Sequence, residues 1–148
     1  SAIGAVPRLL DIGVLPDIMA GNIIGVVAQR LVRKLCPHCK KPYKPEAHET
    51  RLLGLADDAP PPTLYRASGC EHCEYQGYRG RQSILEILKI DGGLDELIAR
   101  RATAREILTA ARASGFKTLA DDGVRLVRQG ATSLDELMRV VDVTDRMA

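Results

Sequence analysis

The sequence has 148 residues, 45% of them hydrophobic and 27% charged, enough for one ordinary globular domain or two small lobes. With four Tyr, one Phe and no Trp, it excludes an aromatic-lined core or ligand surface and leaves packing to aliphatic side chains. The net charge of +2 is near neutral, and no run approaches the roughly 20 apolar residues of a membrane span.

The N-terminus lacks the order of a signal peptide, so the expectation is a soluble, cytosolic chain. It opens on "SAIGAVPRLL" without an initiator Met, which suggests a piece of a larger protein. Across residues 1–21, Leu9, Leu10, Ile12, Val14, Leu15, Ile18 and Met19 surround Pro7 and Pro16, a pattern of two short helices parted near "GVLP". "IIGVVAQRLVRKL" is rich in β-branched residues and alternates, predicting a strand from about Val26 to Leu35. Between positions 30 and 44, Arg30, Arg33, Lys34, Lys40, Lys41 and Lys44 give +6 with no acid. That charge is local.

Positions 36–80 hold six of the eight prolines, so little regular structure is expected there beyond a short helix near Ala47 to Leu53. "RQSILEILKI" (81–90) reads as a returning strand, with helix as the alternative, so the cysteine-bearing lobe lies between two strands. After Asp91 the period becomes helical: Leu94, Leu97, Ile98; Ala104, Ile107, Leu108, Ala111; Leu119, Leu126, Val127; Leu134, Leu137, Met138, Val141. Thr103 with Glu106, Thr118 with Asp121 and Ser133 with Glu136 are start signals, and Gly115 and Gly130 are stops. About four helices follow. Nine acidic and nine basic residues cancel from Asp95 onward, the pattern of solvated helix faces.

All four cysteines fall in two identical spacings, Cys36-x-x-Cys39 and Cys70-x-x-Cys73. Two facing knuckles of this kind supply the four soft ligands of tetrahedral zinc. Disulfides need an oxidising compartment, and a redox C-x-x-C is normally single and at a helix start. Rubredoxin-type iron uses the same ligand set and is the chemical rival. A site closed by four thiolates has no open position for water, so it is structural and staples a lobe too poor in apolar residues to order alone. His38 and His72 sit inside the knuckles, but four cysteines already complete the ligand count; His48 reads as solvated.

No G-x-x-x-x-G-K-[ST] phosphate loop is present, nor any Ser-His-Asp ordering or carboxylate cluster, so no enzyme activity is expected of these residues by themselves. "AQRLVRKLCPHC", "LYRASGCEHCEYQGYRGRQSILEIL" and "TLADDGVRLVRQGATSLDELMRV" resemble the C-terminal part of the type II secretion and type IV pilus assembly ATPases, along essentially the whole chain. The resemblance implies a fold of the α+β class: residues 1–35 end a RecA-like domain, 36–80 form a zinc-binding tetracysteine lobe, 81–91 a return strand and 92–148 a helical subdomain. It makes Cys36, Cys39, Cys70 and Cys73 the ligands of a structural Zn2+, and places ATP and Mg2+ only in the parent protein, whose nucleotide motifs would precede Ser1. Gln29, Arg30 and Leu31 match the family's A-Q-R-L strand, and Gly77, Tyr78, Gly80 and Arg81 its G-Y-x-G-R segment. "SILE" (83–86) departs from the commoner G-I-Y-E.

The implied partners are neighbouring subunits of a homo-hexamer and an inner-membrane platform protein, with peripheral contact to the inner membrane from the cytoplasmic side; no nucleic acid is expected. The function implied is the C-terminal portion of an ATPase that powers pilus or pseudopilus assembly and protein secretion. Two alternatives remain at this level. One is a nucleic-acid-binding zinc ribbon, with Tyr43, Tyr65, Tyr75 and Tyr78 available to stack, and the other is an iron-thiolate electron carrier.

Overall fold

The computed structural model describes residues 1–13 and 25–143. The second of the two short N-terminal helices expected from the sequence falls outside those residues. In chain order the elements are α1 (Ala2–Asp11), β1 (Gly25–Leu35), β2 (Lys41–Tyr43), α2 (Ala47–Leu52), β3 (Leu64–Arg66), a 3-10 turn (Glu71–Cys73), β4 (Tyr78–Lys89), α3 (Gly92–Ala99), α4 (Ala104–Ala113), α5 (Leu119–Arg128) and α6 (Leu134–Val140). The chain is therefore mixed helix and sheet. β1 pairs with β4, and β2 pairs with β3. The "RQSILEILKI" segment is strand, and everything from Cys36 to Gly77 lies between the two paired long strands.

Two compact units emerge, and each draws on both long strands: residues 1–29 with 85–119, and residues 30–84 with 120–148. In the first, Ser1 caps α1 by accepting the Gly4 N–H at 3.0 Å. Ala2, Ile3 and Val6 of α1, Leu88 of β4, Leu94 and Ile98 of α3, Ile107 and Ala111 of α4, and Phe116 form its core. α4 packs against both α1 and α3. The start signal at Thr103 works as expected, its hydroxyl accepting the Glu106 N–H at 3.2 Å, and Asp91 caps α3 by accepting the Leu94 N–H at 2.9 Å. Gly115, at φ +94°, follows the end of α4.

At the start of α5 an acceptor arrives from far along the chain. The carboxylate of Glu86, on β4, accepts the Leu119 N–H at 3.0 Å and also the Ala2 N–H at the start of α1. Two helix beginnings thus converge on one buried carboxylate, where unpaired donors and positive end charge favour an anion.

The second unit contains β2 and β3 in antiparallel register, with Lys41 opposite Arg66, Pro42 opposite Tyr65 and Tyr43 opposite Leu64. Its buried apolar residues include Val32, Leu35, Leu52, Leu53, Leu64, Ile84, Val124, Leu126, Val127, Leu134 and Leu137. Helix α2 occupies the short helical stretch expected from the sequence. Gly130 ends α5 at φ +75°: its N–H reaches Val127 C=O at 3.1 Å, while Ala131 N–H reaches Leu126 C=O at 3.0 Å. That double bond satisfies the last helical carbonyls and demands a left-handed residue. Ser133 caps α6 by accepting the Glu136 N–H at 3.0 Å.

Candidate metal centre

β1 delivers the chain directly into the first knuckle. There, the N–H groups of Cys39 and Lys40 both turn back to the Cys36 carbonyl, at 3.4 and 3.1 Å. The second knuckle is the 3-10 turn, in which Cys73 and Tyr75 N–H groups return to the Cys70 carbonyl at 3.2 and 2.8 Å. It closes through two consecutive non-glycine residues in the left-handed region, Glu74 at φ 53° and Tyr75 at φ 61°. Gly77, at φ +79°, then takes the chain out. A Cβ there would stand 2.7 Å from that of Ala67, so only glycine fits. The knuckles are tied to each other by the backbone, Cys36 N–H donating to Gly77 C=O at 3.0 Å.

The sulfurs of Cys36, Cys39, Cys70 and Cys73 all lie within 4.8 Å of one another, and three of the pairs (36 with 70, 39 with 73, 70 with 73) are 3.8 Å apart. All four are free thiols, far beyond the ~2.05 Å of a disulfide. A tetrahedron with metal–sulfur bonds of about 2.3 Å has sulfur–sulfur edges of about 3.8 Å. The donor set and its spacing therefore fit one tetrahedral thiolate-bound ion.

Backbone donors support the arrangement, since the N–H groups of Cys70 and Gly77 point at the Cys73 sulfur at 3.3 and 3.2 Å. Burial pushes the Cys73 thiol up, but those two N–H groups, together with hydrogen bonds from the Cys39 and Cys70 thiols, outweigh it and its pKa falls to about 6. Burial and the three neighbouring sulfurs raise Cys39 instead. Four crowded sulfurs cannot all ionise without a cation among them, and a bound metal ion would supply that cation.

The histidines stay outside the ligand group. His38 and His72 stack on each other, ring centroids 3.9 Å apart and planes 19° from parallel, both exposed. His48 lies 3.5 Å from exposed Glu46. Arg79 donates to the His72 carbonyl at 3.4 Å.

Much of the basic charge is engaged within the lobe. Arg66 stands over Tyr43 at 3.9 Å, Lys40 over Tyr65 at 4.4 Å and Arg33 over Tyr78 at 4.2 Å. Three of the four rings that a base-stacking surface would use thus carry a cation of this chain on their faces. Tyr43 also donates to Glu49 at 2.9 Å, and burial together with that carboxylate raises its pKa. Tyr75, at the knuckle tip, is open to solvent.

A buried carboxylate missed at the level of sequence organises the approach to the centre. Glu136, expected only as a capping partner for Ser133, accepts the Arg33 N–H at 2.7 Å and the Arg33 and Arg139 guanidinium groups at 2.9 to 3.1 Å. Tyr78 and Ser133 share a hydroxyl hydrogen bond of 2.6 Å. The strand that enters the first knuckle is in this way anchored to α6, two residues before Leu35.

Comparison with known proteins matches residues 1–139 to the family described as type II/IV secretion system protein. The chain is 46% identical over 140 residues to type II secretion system protein E of Pseudomonas aeruginosa, covering 95% of this chain and 28% of that protein. It is 45% identical over 140 residues to the type II secretion system ATPase E of Vibrio cholerae, covering 95% and 27%. It is 41% identical over 135 residues to the type IV pilus assembly ATPase PilB of Thermus thermophilus, covering 90% and 15%. The chain thus spans less than a third of the length of these relatives. With the match running through both knuckles and into α6, the chain belongs to the type II/IV secretion system protein family.

Proposed function

We propose that this chain is the zinc-stapled C-terminal portion of a secretion or pilus assembly ATPase. The observation that carries the reading is the convergence of four thiols at tetrahedral spacing within a chain whose relatives are named as such ATPases. Zinc at this site would hold the 36–80 lobe in shape and would not activate water, because every position is filled by sulfur. Nucleotide binding and hydrolysis would belong to the rest of the parent protein, since none of the 148 residues forms a phosphate loop.

In this reading residues 1–35 and the return strand 81–91 end a RecA-like domain. The exposure of Val27, Leu85 and Ile87 supports it, because apolar side chains left bare on a strand pair suit strands covered by further parts of a larger domain. The 36–80 lobe and the helices of 92–148 would then make contacts with neighbouring subunits of a hexamer and with a membrane platform protein on the cytoplasmic side. Lys41 and Lys44, exposed on the lobe, suit an acidic partner or anionic lipid headgroups.

Elemental analysis of the protein purified under reducing conditions tests the metal assignment: one zinc per chain supports it, and red protein containing iron overturns it. The ATPase assignment is tested in the longer protein that carries this sequence. ATP turnover abolished by replacing a phosphate-loop lysine supports it, whereas a parent without such a loop would sink it.

A further inference from the structure

The first knuckle is bracketed by two donors that end on the same turn. Leu35, immediately before Cys36, gives its N–H to the Ala131 carbonyl at 2.9 Å. Lys40, immediately after Cys39, gives its ammonium to the Gly130 carbonyl at 3.0 Å. These are consecutive carbonyls of the turn between α5 and α6. Thr132, next along, donates its hydroxyl to the Arg33 carbonyl at 2.7 Å.

Lys40 is held at both ends. Its N–H is part of the knuckle itself, bonded to the Cys36 carbonyl at 3.1 Å, while its ammonium lies over the Tyr65 ring as well as on the turn. The turn fits closely against it: a Cβ on Gly130 would come within 3.0 and 3.1 Å of Tyr65 ring carbons and 3.2 Å of the lysine nitrogen. A change in the backbone at Cys39 therefore moves a charged donor out of a site shaped to receive it.

We propose that Lys40 is a positioning residue of the metal centre and that the Gln129–Ser133 turn is its outer support, so that metal occupancy and order in the turn form one linked equilibrium. The inference rests on the metal-centre reading above. A knuckle fixed by its sulfurs alone must lose backbone freedom each time it takes an ion. Here the turn holds both flanks of the knuckle in place beforehand, as outer groups hold ligands at metal sites generally. Linkage makes the relation reciprocal: whatever the ion contributes to the order of the turn, the turn contributes to retention of the ion.

The test loads the reduced chain with one equivalent of zinc and follows zinc transfer to an excess of a chromophoric chelator. Lys40→Met keeps a long unbranched apolar side chain and removes the charged donor; its expected zinc loss is about tenfold faster, in keeping with one charge-assisted hydrogen bond. Lys40→Arg, which retains charge and donors, should recover most of the difference, and Lys44→Met should release zinc as the parent sequence does. Amide exchange at residues 129–133 should rise in zinc-loaded Lys40→Met, which a residue serving bulk stability alone would not single out. If the unaltered chain takes up no zinc, the metal-centre reading falls and the proposal with it. If it binds one zinc and Lys40→Met releases it at the parental rate, the outer support alone is overturned.

Discussion

Glu136 and Arg33, 103 residues apart, meet through both main chain and side chain: one carboxylate takes the arginine N–H at 2.7 Å and its guanidinium at 3.0 and 3.1 Å. The carboxylate side chain is fully buried, whereas Arg33 and Arg139 remain about half exposed. Burial alone would raise the Glu136 pKa, but hydrogen bonds from Arg139 and Arg33 outweigh it and hold it at about 2, below the usual 4.5. The folded chain therefore binds fewer protons here than the unfolded one. The stabilisation is complete above about pH 5 and is lost as pH falls from 4.5 toward 2. Glu136→Gln should cost about 3 kcal/mol at neutral pH and flatten the acid limb of stability. Urea titrations at stepped pH check this, and an acid limb unchanged in the variant would contradict it.

The sequence made the cysteine site legible because knuckle ligands are neighbours in the chain and their spacing is fixed by the turn. Helices α4 and α6 were legible for the same reason, their caps Thr103 and Ser133 lying three residues from what they bind. Glu136 and Glu86 were not, since their partners lie up to 103 and 84 residues away. Along β4, Ile84, Glu86 and Leu88 are all buried while Leu85 and Ile87 are exposed, but "SILEIL" puts two apolar residues on each face, so alternation alone does not say which face turns inward. An acid at an inward strand position needs donors. Which helices pack with the lobe was illegible too, because α5 and α6 join it through the main-chain groups of Leu35, Gly130 and Ala131, which every sequence possesses.

Glu86 gives a second prediction. Removing its carboxylate as Glu86→Leu preserves rough volume but orphans the N–H groups of Ala2 and Leu119. Two unsatisfied donors, at roughly 1–3 kcal/mol each, put the cost near 3 kcal/mol. Glu86→Gln keeps an acceptor and should cost about half as much. Chemical denaturation with amide exchange at the first turns of α1 and α5 would reveal the loss, and equal stability of the Leu and Gln variants would refute the capping role.

Gly123 lies inside α5, where alanine would ordinarily favour the helix by about 1 kcal/mol. Its neighbourhood reverses the sign. A Cβ would fall 2.1 Å from the Leu137 Cδ1 atom and 3.1 Å from its Cγ, and Leu137 is wholly buried in α6, so the side chain would have to shift within packed surroundings. Overpacking of this kind costs about 1–3 kcal/mol, so Gly123→Ala should be destabilising by about 1 kcal/mol net. Leu137→Ala relieves the collision, and the double variant should be more stable than the sum of the two single effects. A stabilised Gly123→Ala protein would show that α5 and α6 are not in the contact described.

Metal removal separates the two units. The core of α1, α3 and α4 is made from Ala2, Ile3, Val6, Leu88, Leu94, Ile98, Ile107, Ala111 and Phe116, with no residue of the cysteine lobe. Between Cys39 and Cys70, by contrast, the buried apolar side chains are Pro45, Leu52, Leu53 and Leu64, too few to order so proline-rich a stretch without an ion. Cys70→Ser, or chelation of the unaltered protein, should abolish amide protection across residues 36–77 and weaken it in α5 and α6. Helices α1, α3 and α4 should keep theirs, leaving much of the helical circular dichroism in place. Because Gly130 and Ala131 bind the flanks of the first knuckle, protection at their turn should fall in step with zinc release rather than later. A Cys70→Ser protein that retained one zinc and full protection in the lobe would mean that the four sulfurs converge without serving as ligands.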